Sequence, residues 1–431
     1  MIFLRDYAID NTGKTDVTKQ IQEILNNIKN EEIYFTEGEY LISSLFIQSN
    51  THIILDSHAV ILGTTDESQY ELIDTRVAGI EMKWYPALIN IINATNVTIS
   101  GSGTICGAGH YYYEKYWGKD RLGGMRKVYD KKGLRWACDY DCMRPRNVLV
   151  SNSSNIKLMD FSCEDSGFWN IHILYSNDIL VSGIQIISDS PNAPSTDGID
   201  IDSSYDCVIE KITASVNDDS IVIKSGRDND GIRVGIPSHD ITIRDCNILK
   251  GYGITIGSEV SGGIYNIDIK NIKYTGTDCG FRIKSSRPRK GYIKNINIDG
   301  LVCMNVKYLF HWCLDWNPNY NLFNIPNDIK DIKPHWNILC QKPIEGRNTI
   351  VENINISNVS SYYSNDYNGI SRIFTILGYE DENIRNVLFK NINAKMKEYG
   401  IIKNACNISY DNCCFDYIDT YIKANDDFDN R

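Results

Sequence analysis

A chain of 431 residues with 42% apolar and 23% charged side chains has ordinary globular composition and enough apolar material for a large core, which excludes a disordered protein. A formal net charge of -11 excludes a general nucleic-acid binder, because neutralising phosphates requires a dominant basic surface. No stretch approaches the roughly 18 uninterrupted apolar residues of a membrane-spanning helix, so no membrane partner is expected either.

The N-terminal run Met1-Ile-Phe-Leu-Arg-Asp turns polar at once and lacks the apolar segment and cleavage site of a secretory signal. Thirteen cysteines, an odd number, lie scattered, and several sit beside strand-like triplets, as Cys207 and Cys246 do. Free, buried thiols and a cytoplasmic location are expected. Cys138 and Cys142 lack the second pair that zinc would need, and neither a metal nor a cofactor is expected. Next along the chain, Val17, Ile21, Ile24, Leu25 and Ile28 fall at helical spacing behind a Thr/Asp start. That spacing predicts an N-terminal helix over residues 15–30, capping the first rung of whatever repeat follows.

The repeat is the strongest signal. Apolar-polar-apolar triplets recur after Asn155, Asp178, Asp206, Asp240, Asn266, Asn295, Asn353 and Asn386, at separations in the roughly 20–50 residue range of solenoids. Period-two alternation with β-branched residues makes each triplet a short strand. A second series, Trp169-Asn-Ile-His-Ile, Asp197-Gly-Ile-Asp-Ile, Asp219-Ser-Ile-Val-Ile, Tyr252-Gly-Ile-Thr-Ile and Cys279-Gly-Phe-Arg-Ile, runs out of phase with the first. Two or more strands per turn, with polar turns and no helices between, predict an all-β, right-handed parallel β-helix forming one domain over residues 1–431. A propeller, with four antiparallel strands per blade, fits less well.

Two segments interrupt the repeat. Residues 107–147 carry ten Lys/Arg against five Asp/Glu, interleaved with Tyr111, Tyr112, Tyr113, Tyr116, Trp117, Tyr129, Trp136 and Tyr140. Residues 310–346 hold Trp312, Trp316, Tyr320, Phe323, His335 and Trp336. Long irregular excursions from a solenoid are characteristically functional, so both are expected near the active groove, with their aromatic residues walling a sugar site.

Aligning the second series on its central isoleucines stacks Trp169, Asp197, Asp219, Tyr252 and Cys279 in one column, and Leu174, Asp202, Lys224, Gly257 and Lys284 in the next. Paired strands lie about 4.8 Å apart, so Asp197 and Asp219 are expected to be neighbours with Asp218 beside them. Three such carboxylates cannot all ionise easily, and at least one pKa is expected to rise. Paired carboxyls of this kind suit glycoside hydrolysis, and Arg282 and Lys284 suit a substrate carboxylate. Lys224, Tyr252, Trp312 and Trp316 complete the expected substrate contacts.

Taken in order, Ser195-Thr-Asp-Gly, Asn217-Asp-Asp, Gly251-Tyr-Gly and Arg282-Ile-Lys resemble the four motifs of the polygalacturonase family, glycoside hydrolase family 28. The resemblance implies an inverting hydrolase in which Asp218 is the general acid, Asp197 and Asp219 hold and activate water, and Arg282 and Lys284 bind a galacturonate carboxylate. The implied substrate is an acidic pectic oligosaccharide, galacturonan or rhamnogalacturonan, and a cytoplasmic location favours exo action on small fragments. Two positions depart: Tyr252 stands where the family has histidine and Ser195 where it has asparagine. Tyrosine carries no positive charge at any pH. A pectate-lyase-like enzyme holding calcium on clustered acids and a non-catalytic carbohydrate-binding coil are the alternatives; the scarcity of further carboxylates argues against the first.

Overall fold

The computed structural model describes residues 1–27, 30–318, 321, 323–381 and 383–419. Ile28 and Tyr320 lie outside them. Short strands stack parallel and in register, turn upon turn, into one parallel β-helix. On the face that matters for function, Ile89–Ile92, Val148–Ser151, Ile171–Leu174, Ile199–Asp202, Ile221–Lys224, Ile254–Ile256, Cys279–Lys284, Tyr308–Cys313 and Arg372–Leu377 pair each with the next.

Alternation sorts these strands into an inner and an outer surface. Ile171, Ile199, Ile221, Ile254, Phe281, Phe310 and Phe374 form one inward column, fully buried, and their continuous apolar stacking makes the core. Each such side chain withdraws about 1.5–3 kcal/mol worth of apolar surface from water. The polar residues before the triplets turn out to be turn formers. Asn155, Asp178, Asp206, Asp240, Asn266, Asn295, Asn353 and Asn386 all adopt φ between 50° and 59°, a left-handed conformation that Asn and Asp accept most readily among non-glycine residues. Several donate a side-chain amide to the rung before: Asn295 to Asn266 at 3.1 Å, Asn353 to Asn295 at 3.2 Å, and Asn386 to Asn353 at 3.2 Å.

Helix α1 (Thr18–Asn27) forms three residues later than expected and buries Ile21 and Leu25 in the same core. No helix among the described residues is long and apolar enough to cross a membrane. All thirteen cysteines are free, and eight are buried.

Two expectations need correction. Residues 107–147 are not irregular: they fold into α2 (Gly109–Trp117), α3 (Gly124–Lys131) and α4 (Arg135–Asp141). Tyr112, Tyr113 and Tyr116 supply the buried face of α2, and such aromatic residues are weak helix formers whose spacing hid the period. Short helices α5 (Asp228–Val234) and α6 (Pro334–Leu339) likewise interrupt a coil expected to have none. An antiparallel hairpin, Ile73–Val77 with Ile80–Trp84, also lies against the coil.

The two insertions pack on each other. Trp136 meets Phe323 and Trp336 edge-on, at ring centroid distances of 5.2 and 5.8 Å. Asp141, shut off from solvent, accepts the Tyr129 hydroxyl at 2.7 Å and the Trp336 indole N–H at 3.3 Å, and pairs with Lys333 at 3.1 Å. Most of the aromatic residues in these segments therefore hold the insertions together; Tyr116, Trp117 and Trp316 are the ones that reach the cavity.

Candidate active site

Asp197, Asp219 and Tyr252 each precede a strand of consecutive rungs. The backbone N–H of Asn170 donates to the Asp197 carbonyl at 2.8 Å, and that of Gly198 to the Asp219 carbonyl at 2.9 Å, which ties the column together through the main chain. The turn carrying Asp218 is fixed locally: the Asp219 N–H donates to its carboxylate at 3.0 Å and the Tyr252 N–H to its carbonyl at 3.0 Å. Gly251 permits this approach, since its φ is +113° and a Cβ there would come within 2.5 Å of the Asp218 carbonyl oxygen. Ser195 sits at φ 54°, a position asparagine occupies more readily.

Carboxylate oxygens of Asp197, Asp218 and Asp219 lie within 4.8 Å of one another. Their surroundings separate them. Asp219 is 1% exposed; its Oδ2 takes the Lys284 ammonium at 2.6 Å, and its Oδ1 takes the Thr255 hydroxyl at 2.7 Å and the Arg282 guanidinium at 3.5 Å. Burial works against its charge, but Lys284 and Arg282 overcome it and hold the carboxyl below the ordinary range. Among the described residues Asp218 is in no ion pair. Enclosure, then the charges of Asp197 and Asp219, drive its pKa well above the carboxylate range. Asp197, also buried, is pushed up to about 8 although Lys224 Nζ stands 3.1 Å away. The three titrate as one unit.

Sequence reasoning placed Asp202 in a column with Lys224 without giving it a partner, and missed Asp200 and Glu259 altogether. Asp200, on an outward position of the rung, takes Lys224 at 2.5 Å, and burial pushes it up to about 7. Asp202 pairs with Arg76 of the hairpin at 2.8 Å, both fully buried; Arg76 overcomes the burial penalty and holds it below its usual value. His172 lies 3.6 Å from Asp202 and is neutral, since burial lowers its pKa to about 3. Glu259 lines the cavity wall. Register alone would have exposed Asp200, because His172, Asp200, Thr255 and Arg282 share one outward column; nothing in the sequence marked Arg76 or Glu259.

These groups surround a cavity of about 190 Å³. Asp197, Asp218, Asp219, Lys224, Tyr252, Arg282, Lys284 and Trp316 all line it. The Arg282 guanidinium lies 4.4 Å from the Tyr252 ring centroid, and the Lys284 ammonium 5.0 Å from that of Trp316. Tyr252 thus offers an aromatic face to a cation that a protonated histidine would repel. Lys224 is buried against Asp197 and Asp200, with its ammonium 3.9 Å from the Trp169 ring centroid. Trp312 departs from expectation. It occupies an inward position paired with Ile283, is 0% exposed, and packs on Phe281 inside the core, so it contacts no ligand. The acids are close enough to share a divalent ion, yet Lys284 and Arg282 take both Asp219 oxygens and Lys224 takes Asp197, a donor set that opposes a further cation.

One prediction concerns Lys224, which lowers the pKa of both Asp197 and Asp200. In Lys224→Met both acids keep their protons to higher pH. The acid limb of the kcat–pH profile is expected to move up by about 1–3 units, as for loss of an opposing charge within contact range. An unmoved limb would show that Asp197 does not set it.

A coil of this kind, with a cation-clamped acid beside an unclamped one in a shared cavity, defines a β-helix protein with an acid–base site. Residues 51–311 match glycosyl hydrolases family 28, and the chain belongs to that family. It is 30% identical over 321 residues to a probable polygalacturonase of Vitis vinifera, covering 71% of this chain but only 61% of the relative's length. An endo-polygalacturonase of Pectobacterium parmentieri is 26% identical over 303 residues, 67% of this chain and 69% of that one. Among solved structures, an exopolygalacturonase from Thermotoga maritima superposes with a TM-score of 0.76 at 24% identity, over 96% of this chain and 91% of that one. A family 28 exopolygalacturonase of Yersinia enterocolitica gives 0.75 at 17% identity, over 98% and 76%.

Proposed function

We propose that this protein hydrolyses the α-linkage of galacturonic acid in pectic oligosaccharides, releasing single units from a chain end. Asp218 donates the proton to the leaving oxygen, Asp197 and Asp219 orient and deprotonate the attacking water, and Arg282 and Lys284 receive a substrate carboxylate. The observation that carries this reading is the contrast between two adjacent acids: Asp219 is ion-paired with two cations, while Asp218, within 4.8 Å, is in no ion pair among the described residues and its pKa is raised well above the carboxylate range. A protonated carboxyl beside an ionised one is what acid–base cleavage of a glycoside requires.

Two further points support the finer reading. The relatives' polygalacturonase activity suits the cationic pair Arg282 and Lys284. Exo action accords with the cavity, whose 190 Å³ or so falls below the roughly 300–1,000 Å³ of drug-sized sites and is walled by Tyr116, Trp117, Arg135 and Asp139 of the first insertion. Inversion is the less obvious assignment. The acids stand closer than the roughly 6.5–9.5 Å usual for inverting pairs and nearer the roughly 5–5.5 Å of retaining ones. Against a covalent route, both Asp219 oxygens are already engaged and Asp197 is held by Lys224, which suits them to orienting water.

Trigalacturonate followed by proton NMR from the first turnover tests all of this. Monogalacturonate of inverted anomeric configuration, appearing before any redistribution of longer fragments, is the expected result. A retained anomer would overturn the direct attack of water, mid-sized fragments from longer chains the exo mode, and an ultraviolet-absorbing unsaturated product the hydrolysis itself. Parallel incubation with a rhamnogalacturonan oligosaccharide shows which sugar is accepted beyond the scissile bond.

A further inference from the structure

Glu259 has no role in the chemistry above. Yet it lines the same cavity, on the turn after the strand Ile254–Ile256, and is 6% exposed. Among the described residues its carboxylate accepts no hydrogen bond and lies in no ion pair. The cations that surround it are committed elsewhere. Lys224 is bound to Asp197 and Asp200, and Lys284 to Asp219. Arg227 donates to the Tyr140 hydroxyl at 2.7 Å and Asn321 at 2.9 Å, and Arg289 to the Ser258 carbonyl at 2.9 Å. Burial disfavours the Glu259 charge, but Lys224, Arg289 and Arg227 together keep its pKa below the usual value. The result is a charged acceptor with two oxygens and no donor, in a place where such a group is costly unless something supplies hydrogen bonds.

Its position is fixed from both sides. The Ser225 N–H donates to the Glu259 carbonyl at 2.7 Å, and Gly79 of the hairpin passes so close that a Cβ there would meet the Glu259 side chain at 2.6 Å. A flexible surface acid is not built this way.

We infer that Glu259 is a substrate-binding residue that accepts hydrogen bonds from sugar hydroxyls in the cavity and turns a carboxylate away from its own subsite. The inference rests on the reading of the cavity as a sugar site. It gives the pocket two kinds of contact: Arg282 and Lys284 take an acidic group, and Glu259 requires that the substrate present hydroxyls to it. A sugar with hydroxyls on one edge and one carboxylate on another fits, whereas a carboxylate at both edges does not.

The test is Glu259→Gln and Glu259→Ala assayed on trigalacturonate and on a panel of its monodeoxy analogues. Loss of hydrogen bonds to a charged group is expected to cost about 10- to 100-fold in kcat/KM on trigalacturonate, most of it in KM. One deoxy analogue should be a poor substrate for the parent by a similar factor yet show little further loss with Glu259→Ala, the non-additive signature of a direct contact. Because the surrounding cations hold the Glu259 pKa below its usual value, the ionised carboxylate adds stability above about pH 4, so both variants should melt somewhat below the parent at pH 7 while staying folded at the assay temperature. Unchanged kcat/KM in both variants, additive losses for every analogue, or a lowered melting temperature that accounts for the lost activity would each overturn the assignment. Activity of the parent on trigalacturonate is read in the same assay, so failure of the hydrolase reading is distinct from failure of this one.

Discussion

Asp218→Asn is expected to lose about 10²–10⁴-fold in kcat with little change in KM, and to be more thermostable than the parent at neutral pH. The first effect is the usual contribution of a positioned general acid. The second follows from linkage. In the folded protein Asp218 keeps its proton far above the ordinary carboxylate range because enclosure and the charges of Asp197 and Asp219 disfavour its ionised form. In the unfolded chain the same group releases its proton near pH 4. Between that pH and the folded value the unfolded state sheds protons that the folded state retains, so stability falls as pH rises. Asparagine has no proton to lose, and the penalty disappears. The gain in melting temperature should therefore be present at pH 7 and vanish below about pH 4, which calorimetry at both values would read. A variant melting below the parent at pH 7 would show that the carboxyl is not strained by its site.

Arg76→Leu carries the largest expected loss of stability, about 3–5 kcal/mol, since it leaves the fully buried Asp202 without its counter-ion. Arg76 Nη1 also donates to the Ser203 hydroxyl at 2.7 Å, and its guanidinium lies 4.7 Å from the Tyr175 ring centroid, so one side chain fastens the hairpin to the rung that carries Asp197. The pH dependence has the opposite sign to that of Asp218. Asp202 is held below its unfolded pKa, so its contribution is complete above about pH 4 and declines as pH falls further. The gap between parent and variant in urea should thus be widest near neutrality and narrow in acid. Adding Asp202→Asn to the variant removes the orphaned charge and should restore much of the loss. If the double variant is no better than the single one, the pair is not what Arg76 stabilises.

The coil was legible because its signals are local and repeated. A left-handed Asn or Asp followed by an alternating triplet specifies one turn and one strand, and the chain writes this many times over. Register then carried the reading across rungs, which is why Asp197, Asp219, Arg282 and Lys284 could be placed together from spelling alone. The same register places two further residues. Trp312 lies on an inward position one rung beyond Ile283, so its column assigned it to the core. Asp200 lies on an outward one between His172 and Val222. Arg76 and Glu259 are a different matter: both stand outside the repeating strands, on a hairpin and a turn, and only the tertiary fold brings Arg76 to Asp202 and Glu259 to the cavity. The helices of the first insertion were hidden because tyrosines supply the buried face of α2, α3 buries none of its residues, and α4 mixes Trp136 and Tyr140 with Asp141 on its buried side.

Both insertions leave and rejoin the coil at its turns, and the strands on either side pair as though nothing intervened: Thr104–Cys106 with Ser162–Glu164 and Val148–Ser151 with Ile89–Ile92 around the first, Tyr308–Cys313 with Arg372–Leu377 and Ile350–Tyr362 with Tyr292–Met304 around the second. The stack pays no hydrogen bond for carrying them. Inheritance can therefore treat the two parts separately, keeping the acids on their rungs while one wall is exchanged for another. Chains that share this catalytic frame and differ in the segment between Cys106 and Val148 are the natural place to look for a changed appetite, and a transplant of that segment alone, with the contacts to α6 matched, is a direct way to redirect the enzyme.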